Sequence, residues 1–201
     1  MSATDREGAR RQKVIDAARR LFVCKGFHNT SVAQIAECSG IFVGQIYRDF
    51  SSKDEIIAAI ALHDVSRVLN LNALENAIAA DDRPALQRWI LEFVSADENI
   101  EVYELVPEIM AEALRNPKIA RLLEDIGGKA RMAIGKALAT LTPDNMCAKT
   151  RSTLVDLILT LAGCSIQAIA PMAPYGDHKR LRDRLRAIVF SELEAMQNRH
   201  R

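Results

Sequence analysis

The 201-residue sequence predicts an all-α protein: a three-helix head containing a helix-turn-helix, then a larger helical body, about nine helices in all. Three observations carry this. Ala, Leu, Ile, Glu and Arg dominate a chain with only 5% aromatic residues, and no valine-rich alternating run bounded by turn residues appears. Apolar residues recur at helical spacing, beginning with Val14, Ala17, Ala18, Leu21 and Phe22. Residues 30–50, TSVAQIAECSGIFVGQIYRDF, read as two short helices joined by a tight glycine turn, the form of a DNA-reading unit.

The elements follow in order. The first apolar face predicts a helix over residues 10–25, ended by Gly26. Ser31 and Gln34 are spaced as a capping box, so the next helix starts at Ser31. Ala36 is small enough for a close helix crossing. Gly40 can take positive φ and reverse the chain within about three to four residues. Ile35, Ile41 and Ile46 supply the apolar contacts between the two short helices. Ser52 and Glu55 form a second capping box that opens a connecting helix over 53–80. Lys53 lies in its first turn, where a cation opposes the helix dipole and stability alone does not explain it.

In the body, Asp81, Asp82 and Pro84 mark a turn, and a helix carrying Trp89 and Phe93 follows. A break at 96–99 precedes a helix over 101–115, in which Pro107 forces a kink or a later start. Asn116 and Pro117 turn the chain into a helix reaching Leu141, interrupted or bent near Gly127 and Gly128. Two last helices, 147–170 and 178–198, flank the loop PMAPYGD.

Composition excludes several classes. No run of 18 apolar residues and no basic-then-apolar leader at Met1 supports a membrane span or a secretory signal, so the chain is expected in the cytoplasm. Cys24, Cys38, Cys147 and Cys164 lack CxxC spacing and are expected as buried thiols. His28, His63, His178 and His200 show no metal-ligand spacing, and there is no phosphate-cradling glycine loop, GxSxG elbow or paired-carboxylate motif. The expectation is no enzyme, no cofactor and no metal. Up to Glu55, nine basic side chains stand against seven acidic ones, leaving the head at +2. Phosphate contacts must then come from a few well-placed groups. Arg10, Arg11 and Lys13 crowd one stretch, as a solvated face or as phosphate contacts.

The strings ARRQKVIDAARRLFVCKGF, TSVAQIAECSGI and GQIYRDFSSKDEI resemble the tetracycline-repressor (TetR) family over roughly the first 60 residues. The resemblance implies a DNA-binding domain at 1–52 and a regulatory domain at 53–201. It implies a recognition helix over 42–50 whose first residues enter the major groove. Gln45 is then the base reader, able to pair bidentately with adenine, and Arg48 reaches guanine or a phosphate. Gly44 permits close approach to the DNA backbone, and Tyr47, Thr30, Ser31 and Lys53 take backbone-contacting positions. The sequence departs from the family pattern at Phe42, which cannot cap the recognition helix but can meet a thymine methyl, at Val43, and at Asp49. Asp49 would be repelled by DNA, so it should face away or pair with a basic neighbour.

The resemblance further implies a homodimer on palindromic operator DNA, paired through the last two helices. Leu154, Ile158, Leu161, Leu181, Leu185, Ile188 and Leu193 are the candidate interface, with an intrachain core as the alternative. It also implies repression relieved by a small, apolar or aromatic effector, with Trp89, Phe93, Tyr103, Met110, Leu114 and Met132 as pocket candidates, each otherwise plain core. Two other readings remain: an activator or a regulator without a small-molecule effector, and a helical ligand-binding protein that no longer reads DNA.

Overall fold

The computed structural model describes residues 3–95, 104–143, 146–169 and 178–198. All regular structure among them is helical: α1 (Ala3–Lys25), α2 (Val32–Ser39), α3 (Val43–Asp49), α4 (Lys53–Leu69), α5 (Leu71–Ala79), α6 (Arg83–Ser95), α7 (Val106–Ala113), α8 (Pro117–Leu141), α9 (Ala148–Ile169) and α10 (His178–Asn198). They form two compact units, Met1–Val65 with Glu104–Glu124, and Ser66–Tyr103 with Asp125–Arg201.

In the first unit α2 packs on α1 and α3. The predicted inner face of α1 is buried: Val14, Ala17, Ala18 and Phe22 are at most 1% exposed. Ile35, Ile46 and Phe50 close the same core, each large apolar side chain contributing about 1.5–3 kcal/mol of burial. Ile41 and Ala36 are half-buried at the crossing. Arg19 forms an ion pair with the buried Asp64, tying α1 to α4.

In the second unit α6 packs against α5, α9 and α10, and α9 against α10. Leu86, Ile90, Val94, Ile134, Leu138, Ile158 and Val189 are fully buried there.

Four helix extents differ from the sequence reading: α1 begins at Ala3 rather than at residue 10, and the other three differ for local reasons. The expected 53–80 helix breaks at Asn70, which takes the left-handed conformation (φ 38°), one that asparagine tolerates better than most residues. This adds one helix to the expected count. The helix expected from 101 begins at Val106, with Pro107 in the first turn, where a missing N–H removes no helical bond. At the other extreme, α8 runs unbroken through Gly127 and Gly128. Each glycine costs about 1 kcal/mol relative to alanine, which the packing of Ala130, Ala133, Ile134, Ala137 and Leu138 offsets. The helix end at 170 and the loop PMAPYGD lie outside the described residues.

The cysteines are also corrected: Cys24, Cys38, Cys147 and Cys164 are all exposed thiols. Their positions on outward helix faces and at the start of α9 override the residue type's general tendency to be buried. No helix among the described residues is long and apolar enough to cross a membrane.

Candidate nucleic-acid interface

The helix-turn-helix is built from local chemistry. Ser31 Oγ accepts from the Gln34 amide at 3.2 Å, and Gln34 Oε1 accepts from the Ser31 amide at 2.8 Å, so α2 starts with the reciprocal box that its sequence spelled. Gly40 closes it in the left-handed conformation (φ 69°), which a β-carbon would disfavour. Phe42 then occupies the N-cap of α3 with no side-chain hydrogen bond to the first turn, as its ring requires.

Turning α3 about its axis separates two faces. Ile46 and Phe50 point inward, at 1% and 2% exposure. Phe42 (80% exposed), Val43, Gly44, Tyr47 and Arg48 point outward, and Gln45 is half-buried at the edge. Beyond its own helical turn nothing lies within 4 Å of where a β-carbon on Gly44 would sit, so another backbone could approach there. An outward face of five neighbouring residues on a firmly packed short helix can be laid into a groove.

Asp49, at the end of α3, pairs with a basic neighbour as expected. Arg10 grips its carboxylate with a two-pronged contact, Nε to Oδ2 at 2.6 Å and Nη2 to Oδ1 at 2.7 Å. Arg11 donates to the Asp49 carbonyl and stacks 4.2 Å over the Phe50 ring. The Arg10 hydrogen bonds hold the Asp49 carboxyl below the usual carboxylate range, against the opposing effect of burial. Two of the three clustered cations of α1 are therefore directed at α3.

The turn between α1 and α2 is a second polar cluster. Lys53 Nζ donates to the carbonyls of Phe27 (2.5 Å) and Thr30 (2.9 Å) and lies 4.2 Å over the Phe27 ring. Burial pushes its ammonium below the ordinary lysine range, and Asp54 and Glu112 pull the other way. These contacts supply the stabilising reason for a cation in the first turn of α4 that local sequence could not. Thr30, expected at the DNA backbone, is 1% exposed, with its hydroxyl facing the carbonyls of Gly26 (2.9 Å) and Leu21 (3.3 Å). Ser31 remains exposed.

From α7, Glu108 Oε1 accepts the Phe27 amide at 2.5 Å, and the buried Glu112 lies 2.9 Å from His28 Nε2. Glu108 and Glu112 escaped the sequence reading because nothing in their own helix points to a turn about eighty residues earlier in the chain. The second capping box is shifted as well: Ser52 Oγ accepts from the Glu55 amide, but the Glu55 carboxylate reaches the amide of Ser51 (2.6 Å). That hydrogen bond lowers the Glu55 pKa.

Residues 14–60, which contain α2, α3 and the first turns of α4, match the family of bacterial regulatory proteins called tetR. The HTH-type transcriptional regulator UidR of Escherichia coli K12 is 31% identical over 157 residues, 73% of this chain and 76% of the relative. The chain belongs to the tetR family. The HTH-type transcriptional repressor AcnR of Corynebacterium diphtheriae is 27% identical over 134 residues, 58% of this chain and 70% of that one. A TetR-family regulator from Mesorhizobium loti shares the fold, with a TM-score of 0.72 at 19% identity over 94% of this chain and 98% of the other. As a tetR-family transcriptional regulator, the protein has its helix-turn-helix at residues 31–50.

The expected effector and dimer residues of this tetR-family chain are placed unevenly. Trp89 is buried and stacks on Phe93 with ring centroids 6.1 Å apart and planes 10° from parallel. Met110, Leu114 and Met132 are 50%, 87% and 63% exposed, too open for core, and Tyr103 lies outside the described residues. A cleft of about 310 Å³ opens instead between α9 and α10, lined by Lys149, Thr150, Thr153, Leu154, Leu157 and Glu192. None of the six expected pocket residues lines it.

Of the interface candidates, Leu154, Ile158, Leu185 and Leu193 are already buried within one chain, so they belong to its own core. Leu161 and Leu181 are half-buried, while Ile188 and its neighbour Phe190 are about 40% exposed. The apolar stripe on α10 is thus partly buried within the chain and partly exposed, a division that sequence periodicity does not show.

Proposed function

We propose that the protein is a homodimeric repressor that reads palindromic operator DNA with α3 and leaves it when a small apolar or aromatic effector enters the helical body. The observation that carries the DNA reading is the outward face of α3. Phe42, Val43, Gly44, Gln45, Tyr47 and Arg48 stand together above a buried Ile46–Phe50 face, the arrangement that lets a helix enter a major groove without losing its support. Gln45 and Arg48 carry the hydrogen-bonding reach, Phe42 the thymine-methyl contact, and Tyr47 and Ser31 the backbone contacts. Residues 1–52 act as the reading domain and 53–201 as the regulatory and dimerisation domain, in the cytoplasm and without enzymatic activity.

Repression is favoured by likeness to a relative named a transcriptional repressor. The proposed apolar or aromatic character of the effector rests on the few charges that interrupt the helices of the body. Enrichment of duplexes from a random pool by the purified protein, followed by footprinting of the selected site, tests the reading. A two-fold symmetric footprint with half-sites about one helical turn apart supports it, and a protein that enriches no sequence at low salt overturns it.

A further inference from the structure

The recognition helix is short and unsupported at one end. Seven residues cannot sustain a helix alone, and Phe42 leaves the first turn of α3 without a side-chain cap. Its inner anchors, Ile46 and Phe50, are buried apolar contacts that keep the helix down but carry no directional hydrogen bond. Direction is fixed instead at the far end. Arg10 holds both carboxylate oxygens of Asp49, and Arg11 holds the carbonyl of the same residue while its guanidinium covers the next ring. A planar fork on a carboxylate fixes an angle and a register, which an apolar patch does not.

This arrangement has a cost that stability does not explain. Asp49 places a negative charge one residue from the outward-facing Arg48, in a head whose net charge up to Glu55 is only +2. It also engages a cation that would otherwise be available to phosphates. The pair's contribution to stability is limited by its Arg10 side, which is 30% exposed, although the Asp49 side chain is only 3% exposed. We infer that Asp49 and Arg10 are positioning residues for DNA reading: the pair sets the orientation of α3 in the groove and lowers indiscriminate attraction to DNA, so that it raises the ratio of specific to nonspecific binding. The inference rests on α3 being the DNA-reading helix.

Electrostatics alone and positioning predict opposite signs for Asp49→Asn, which makes the test sharp. The protein is titrated against a duplex it selects from a random pool and against an unselected duplex of equal length, at several salt concentrations. Positioning predicts that Asp49→Asn loses about tenfold in affinity for the selected duplex, the scale of a charge-assisted contact, while holding or gaining affinity for the unselected one. Arg10→Lys keeps the charge and loses the fork. It should show the same loss of discrimination, with an unchanged slope of log affinity against log salt. Were Arg10 a phosphate contact, Arg10→Ala would flatten that slope by about 1.8 per dimer. The double variant Arg10→Ala/Asp49→Asn should be no worse than the poorer single variant, because one pair is removed in each case.

Equal tightening on both duplexes by Asp49→Asn, or wild-type discrimination in Arg10→Lys, overturns the inference while leaving DNA reading intact. A wild-type protein that enriches no duplex overturns the DNA reading itself, and the inference with it.

Discussion

The indole N–H of Trp89 donates to the carbonyl of Leu69 over 2.8 Å, at the point where the connecting segment changes from α4 to α5. Because Asn70 turns left-handed, the amides of Ala73 and Leu74 bond to the Asn70 carbonyl, and Trp89 supplies Leu69 with a buried donor. Trp89→Phe keeps an aromatic ring but removes the N–H together with the fused five-membered ring that carries it. It should cost at least the penalty for an unpaired buried carbonyl, about 1–3 kcal/mol. Urea unfolding followed by circular dichroism measures it, and an unchanged midpoint would show that the bond contributes nothing.

Lys53 joins the first turn of α4 to the carbonyls of Phe27 and Thr30. Lys53→Met should lower stability by about 1.5–3 kcal/mol, as for a hydrogen bond to a charged group, and should weaken operator binding through a loosened turn. If Lys53 acted only on phosphate, the melting curve would stay put and the salt slope would fall by about 0.9 per subunit. Thermal melts and salt titrations of the same preparation distinguish the two.

Gln45 stands at the edge of the outward face of α3. Gln45→Ala is expected to relax preference at one symmetric pair of operator positions at about 1–3 kcal/mol per half-site, leaving the salt slope nearly constant. Selection repeated with the variant reads this directly. Equal losses on selected and unselected duplexes would mean that the residue meets no base.

The burial pattern of α10 divides the dimer question between two residues. Leu185 is buried within the chain, so Leu185→Glu should destabilise the protomer itself. Ile188 is 41% exposed, and Ile188→Glu should give a folded monomer if this face pairs with a second copy. Sedimentation with a parallel thermal melt checks both. A stable Ile188→Glu dimer would move the interface to another face.

Asp49 also gives the head an acid signature. Arg10 holds its folded-state pKa below the ordinary value, so the unfolded chain takes up the proton first on acidification. The contribution of the pair is therefore complete above about pH 4, where the unfolded carboxylate is ionised, and disappears as pH falls through the lower folded value. Melting temperatures of the wild type should drop more steeply than those of Asp49→Asn between about pH 4 and pH 2. Parallel curves would count against the pair as a contributor to stability.

What the sequence determined by itself is what neighbouring residues settle between themselves. The Ser31–Gln34 box, the reversal at Gly40, the uncapped start of α3 at Phe42 and the buried face of α1 all depend on groups within one or two turns, and all stand as read. The tertiary structure alone chose partners across long separations. Arg10 and Asp49 are 39 positions apart, Lys53 and Phe27 are 26, and Phe27 and Glu108 are 81. It also decided that Thr30 is buried, that all four cysteines are exposed, and that Leu185 rather than Ile188 faces the core. Residue type and periodicity define which face of a helix is apolar, but not which other helix covers it. The latter depends on where the chain returns, and so on contacts whose sequence spacing carries no local signal.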